Sequence, residues 1–136
     1  MPTLQVSLVS PEEQQFTGQV DQVDLPGVEG DFGVLPGHAP IVAMLRPGIV
    51  TAIAGGVRDQ FVVFGGLAEF SKDELTILAE SASSVDDFDL AGLTSQIEEM
   101  QQGLAKKAAG DELDRAIALL DHYKSIQVSL APTTAF

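Results

Sequence analysis

Two histidines and twenty acidic side chains are the groups in this 136-residue chain that could move protons or hold an ion. His38 stands in Pro36-Gly37-His38-Ala39-Pro40, a turn-rich stretch of the kind a rigid scaffold holds at its surface. A histidine acting as general base needs an orienting partner and a nucleophile within reach. The sequence has no nucleophile motif, and the second histidine, His122, falls in a separate helical stretch. His38 therefore reads as a structural or interface residue. Asp86, Asp87 and Asp89 lack the regular oxygen spacing and turn glycine of a calcium loop, so helix capping is their expected role. Asp31-Phe32-Gly33 has the letters of a kinase metal triplet with nothing else of a kinase around it. Gly27, Gly30 and Gly33 neither have dinucleotide-fingerprint spacing nor open a helix. Gly65-Gly66 follows an apolar run and reads as a bulge or a close backbone contact. No enzyme signal survives, no metal or cofactor is implied, and the Gly27–Gly48 stretch around Asp31 and His38 reads as a recognition surface.

Composition narrows the partners. The net charge of −13 argues against nucleic acid, whose phosphates are held by clustered Lys and Arg, and against docking on an anionic membrane. The absence of cysteine excludes disulfides and thiolate metal sites. The N-terminus has no basic region ahead of a long apolar run, and no segment approaches the roughly 20 apolar residues that span a bilayer. The expectation is a soluble, cytoplasmic chain that meets a membrane only through another protein. An apolar fraction of 45% supports a real core.

The elements that must position these residues are mostly strands. Leu4, Val6 and Leu8 alternate with polar residues at strand period, Ser10–Glu13 is a turn, and Phe16 to Leu25 continues the signal until Pro26-Gly27 ends it. Val34-Leu35 and Ile41-Val42 read as short pieces between turns. Gly55-Gly56 joins the apolar run from Gly48 to that ending at Phe64, and Lys72-Asp73-Glu74 tips one more hairpin. About eight short strands without intervening helices predict an antiparallel sandwich or barrel. The continuously apolar Ile49-Val50 and Phe61–Phe64 belong in its interior or against a partner.

After residue 84 the period changes. Ser83–Asp87 is a polar joint, and Leu90, Leu93, Ile97, Met100 and Leu104 then recur at helical spacing, predicting a helix to about Ala109. Gly110-Asp111 is a tight link in which Asp111 could cap the next helix. Leu113, Ala116, Ile117, Leu120 and Tyr123 form a second stripe to about Gln127. The link makes the helices antiparallel neighbours with a thin shared seam, and the tail from Ser129 should fray. The expected division is a β-domain over residues 1–84 and a helical hairpin with tail over 85–136.

Several of these stretches together resemble the epsilon subunit of the bacterial F-type ATP synthase: Gly30–Pro40 (GDFGVLPGHAP), Leu45–Gly48 (LRPG), Phe61–Glu69 (FVVFGGLAE), Leu75–Glu80 (LTILAE) and the opening Ser10–Phe16 (SPEEQQF). The resemblance implies a flattened β-sandwich of about ten strands followed by the two-helix hairpin. It implies a non-catalytic rotor subunit of the central stalk, joining the gamma subunit to the membrane c-ring and coupling proton flow to ATP synthesis. It would sit peripherally on the cytoplasmic face of the inner membrane. By the same resemblance Asp31 occupies the acidic position that meets the c-ring loops, and His38 the position that touches gamma. The hairpin would be the part able to reach the alpha/beta catalytic head.

An alternative within reach of the same sequence is a nucleotide-sensing β-sandwich. Some relatives bind ATP through Leu-Asp-x-x-Arg-Ala at the start of the first helix, where this chain reads Phe88-Asp89-Leu90-Ala91-Gly92-Leu93. Asp89 is the remnant of that motif, but Gly92 replaces the guanidinium fork that would grip phosphate. Residues 111–127 hold four acidic against two basic side chains, a sign that disfavours docking of the hairpin on an acidic loop.

Overall fold

The computed structural model describes residues 2–130. The chain divides into two compact units, Met1–Asp87 and Phe88–Phe136. The first is built from strands β1 (Leu4–Val9), β2 (Gln14–Val20), β3 (Gln22–Gly27), β4 (Gly30–Val34), β5 (Ile41–Leu45), β6 (Gly48–Ala54), β7 (Val57–Val63), β8 (Gly66–Ser71), β9 (Glu74–Ala79) and β10 (Ala82–Ser84). The second holds helices α1 (Leu90–Leu104) and α2 (Asp111–Leu130).

The ten strands form one folded-over sheet in the order β10-β7-β6-β3-β5-β8-β9-β1-β2, with β4 attached to β3. This is the β-sandwich expected. All pairs are antiparallel except β1 with β9. Inward side chains alternate with outward ones along β1 and β9, as the pleat requires, and Leu4, Val6, Leu8, Leu75 and Ile77 meet Val23, Leu25 and Phe70 in the core. Phe16 and Phe61 pack with ring centroids 5.5 Å apart. Val62 and Val63 are both fully buried, so the continuous apolar run does lie inside.

Ten strands replace the eight that periodicity suggested, because one run splits in two and one further short strand lies in the polar joint, while a third piece is longer than its apolar residues indicate. The chain breaks between β2 and β3 at Asp21, whose Oδ2 accepts from the Gly55 N–H at 2.8 Å. Gly30–Val34, of which periodicity marks only Val34 as strand, pairs with β3 over its whole length. Ala82–Ser84, read as part of a polar joint, pairs with β7. Pro26-Gly27 finishes β3, and the turn falls on Val28-Glu29 instead.

Two joints show why their residues stand there. The β8–β9 turn places Lys72 at φ 54° and Asp73 at φ 58°, a left-handed pair that usually recruits Asn and Gly. The strain is offset because the Asp73 carbonyl accepts from Gln5 N–H and its Oδ1 from Gly37 N–H, each at 2.8 Å. Gly66 has φ 142°, and any Cβ there would collide with the Leu78 carbonyl. That is the close backbone approach expected of Gly65-Gly66.

In the second unit, Leu93 and Ile97 of α1 and Leu120 and Ile126 of α2 are buried, and Gln127 Nε2 donates to Thr94 Oγ1 across the hairpin at 3.1 Å. Ile117, assigned to the seam from spacing, is 41% exposed; Ile126 takes its place. Helix α1 stops five residues short of Ala109. Its last turn tightens through Lys106 and Lys107 N–H groups bonding the Gly103 and Leu104 carbonyls at 3.1 Å. Asp111 lies inside α2, whose first backbone bond runs from Asp114 N–H to the Gly110 carbonyl. Asp111, Glu112 and Asp114 instead place negative charge on the first turn, where the helix dipole favours it. Ser129 and Leu130 belong to α2; the rest of the tail lies outside the described residues. Among the described residues no helix is long and apolar enough to cross a membrane.

Candidate partner-binding site

Arg46 organises the stretch that carries Asp31. It follows β5 and is held in place by its own N–H, which donates to the Pro26 carbonyl at 2.9 Å. Its guanidinium then divides between two acceptors: Nη1 donates to the Gly27 carbonyl at 2.7 Å, and Nη2 to Asp31 Oδ1. The fork thus ties β5 to both strands of the β3–β4 hairpin. Asp31 remains largely exposed, and among the described residues only its Oδ1 is engaged, by Arg46. Sequence reading singled out Asp31 and passed over Arg46, whose role depends on a register that places residue 46 beside residue 26.

His38 occupies the β4–β5 connection. Its N–H donates to the Leu35 carbonyl at 3.0 Å, closing the turn. The ring meets buried Phe70 edge-on at 5.9 Å. Nδ1 lies 2.6 Å from the Ala39 carbonyl oxygen; a carbonyl can only accept, so Nδ1 carries the proton and donates. With Gly37 N–H bonded to Asp73, the whole turn is pinned to β8 and its hairpin. His38 thus has a packing partner in Phe70 and a backbone acceptor in Ala39.

The outer face of the sheet carries an apolar row. Met44 on β5 pairs with Leu67 on β8, Leu67 with Leu78 on β9, and Leu78 with Val9 on β1. Met44 is 59% and Leu78 52% exposed, and Val42, one pleat along from Met44, is 66% exposed. Isolated exposed apolar side chains are ordinary; a registered row of them is the kind of patch that contact surfaces are made from. The sequence hid it, since apolar residues in both phases of Ile41–Leu45 look like a wholly buried strand. Beside this row lies a groove of about 540 Å³ walled by Val28, Glu29, Asp31 and Phe32 on one side and Ile41–Met44 on the other.

Asp89 is spent on structure. Its Oδ1 accepts from the Gly92 N–H at 2.9 Å, capping α1. A Cβ at position 92 would run into that carboxylate, so glycine and cap are one device. These residues do not fit a nucleotide phosphate: the carboxylate is turned onto the helix and the neighbouring position has no cation. Asp86 and Asp87 are exposed joint residues, Asp86 N–H bonding Ser84 Oγ at 3.3 Å. Among the described residues no three His, Asp or Glu side chains are grouped to hold a metal ion.

The model of the "ATP synthase, Delta/Epsilon chain, beta-sandwich domain" matches residues 3–85. The "ATP synthase epsilon chain 2" of Nitrobacter hamburgensis is 70% identical over 136 residues, covering 100% of both chains. The "ATP synthase epsilon chain" of Rhodopseudomonas palustris strain BisB18 is 59% identical over 133 residues, 98% of each. Among solved structures, a chain of the Euglena gracilis mitochondrial ATP synthase (OSCP/F1/c-ring in rotational state 1) superposes with TM-score 0.80 at 24% identity, covering 96% of this chain and 84% of the other. A chain of the Tetrahymena thermophila mitochondrial ATP synthase central stalk and c-ring gives 0.64 at 13% identity, covering 92% and 93%. At these identities the two structures speak for the fold.

Proposed function

We propose, from the premise that this chain belongs to the ATP synthase delta/epsilon family, that it is a non-catalytic subunit of the central stalk of an F-type ATP synthase. It joins the gamma subunit to the c-ring and couples proton flow to ATP synthesis, held peripherally at the cytoplasmic face of a bacterial inner membrane through the complex. The observation that carries this reading is the registered apolar row Met44-Leu67-Leu78, with Met44 and Leu78 exposed on either side of half-buried Leu67 on a strongly acidic small protein. Solvent gives no reason to keep such a row; a permanent partner does.

In this reading the row and the pinned His38 turn face gamma, and Asp31 meets the polar loops of the c-ring. A coupling piece has to resist twisting between two grips. The arginine fork at Arg46 and the Asp73–Gly37 bond brace both contact loops against the sheet. The hairpin, whose seam buries few side chains, is the part that reaches the alpha/beta head. Co-purification tests the assignment: the tagged full chain brings down gamma and the ATPase head together. Recovery of the chain alone from cells making the whole synthase overturns it.

A further inference from the structure

Strand β5 has one satisfied edge and one open edge. Its β8 side is paired at every residue from Ile41 to Leu45. On the other side, among the described residues, only Leu45 has a strand partner, Gly27. Around that bridge Val28 N–H donates to the Met44 carbonyl at 3.0 Å and Arg46 N–H to the Pro26 carbonyl at 2.9 Å, so residues 44 and 46 direct their backbone groups towards β3. Backbone direction alternates along a strand, which turns the N–H and C=O of Val42 to the same side. The β3–β4 hairpin has already reversed at Val28-Glu29, so none of the described residues continues the ladder past Met44. The gap is the groove walled by Val28, Glu29, Asp31 and Phe32.

We propose that this groove takes an extended segment of a partner protein that adds as a strand to the open edge of β5, bonding the backbone of Val42, with a Lys or Arg at Glu29. An unpaired strand edge is a template for another strand. Val42 is itself neither charged nor proline, and its neighbours Met44 and Val28 are exposed and apolar. The charge argument sets the chemistry of the occupant. Glu29 has no ion pair among the described residues, whereas Asp31 is already engaged by Arg46. A basic side chain pairs with Glu29, and an acidic segment would be repelled. The proposal rests on the stalk reading for its candidate partner, the gamma subunit.

The test uses the full chain and purified gamma. Amide exchange on the complex should show Val42 and Met44 N–H protected at least tenfold relative to the free chain. Val42→Pro, which removes the donor, should weaken binding by at least tenfold, while Val42→Thr stays within about threefold; matching melting curves of the free variants establish that both are folded. Glu29→Lys should weaken binding severalfold, and more so at low salt. If gamma binds while both amides exchange freely, strand addition is overturned and the stalk reading stands. If the unaltered chain does not bind gamma, both fall.

Discussion

The guanidinium of Arg46 reaches Asp31 across the β3–β4 hairpin, 15 residues back along the chain, while its other arm holds the Gly27 carbonyl. The acidic residue that sequence pointed to is therefore not an isolated surface charge. It is one end of a brace whose other end is set by the backbone of β5, and partners approaching Asp31 meet a carboxylate already half engaged.

Breaking that brace should loosen the hairpin without unfolding the sheet. Arg46→Met removes a charged bond to a backbone carbonyl and a largely exposed ion pair, and should cost about 1–2 kcal/mol. Arg46→Lys keeps the charge but cannot fork, and should recover less than half of the loss. Thermal unfolding of the two variants measures the difference; identical melting curves for all three proteins would remove Arg46 from the account.

Asp31→Lys reverses the charge beside Arg46 and, on the proposed function, weakens attachment to the c-ring. Proton pumping driven by ATP in reconstituted membranes should fall severalfold, with ATPase turnover of the detached head retained. Unchanged coupling would argue against this role for Asp31.

Asp73 carries a left-handed backbone and two bonds to distant segments. Asp73→Ala keeps the unfavourable φ and deletes the acceptor for Gly37 N–H, and should destabilise by about 1–2 kcal/mol. Asp73→Gly relieves the backbone while losing the same bond, and should fall between the alanine variant and the parent. Chemical denaturation distinguishes the two contributions.

The α1 cap leads to an expectation about nucleotide. Titration calorimetry with millimolar ATP should show no binding heat, and Gly92→Arg should not create a site, because its Cβ displaces the capping carboxylate. Asp89→Ala should lower helix stability by about 1 kcal/mol. Saturable ATP binding by the parent chain would revive the nucleotide-sensing alternative.

A fragment ending at residue 87 should fold on its own and still bind gamma, since the core of the first unit is made wholly from its ten strands. Circular dichroism and pull-down of the fragment check this; a fragment that stays unfolded contradicts an independent β-domain.

What the sequence determined by itself was the kind of element and the broad division of labour. Period-two alternation in Leu4–Leu8 and Leu75–Ala79 already states which side chains go inward, because the pleat allows only two faces. The three- and four-residue spacing after Leu90 states a helix for the same reason. Asp31 and His38 stood out because turn residues surround them. Tertiary structure decided everything that depends on register. Only the β5–β8–β9 pairing lines up Met44, Leu67 and Leu78 into one apolar row on the outer face, and only the splitting of β3 from β5 leaves an edge open. Arg46 finds Asp31 because residue 46 lies beside residue 26, a proximity no local pattern encodes. Gly30–Val34 and Ala82–Ser84 are strands against their own composition, since a neighbour supplies the hydrogen bonds that propensity withholds. Local chemistry selects elements; the hydrogen-bond ladder between distant strands selects the surface they present.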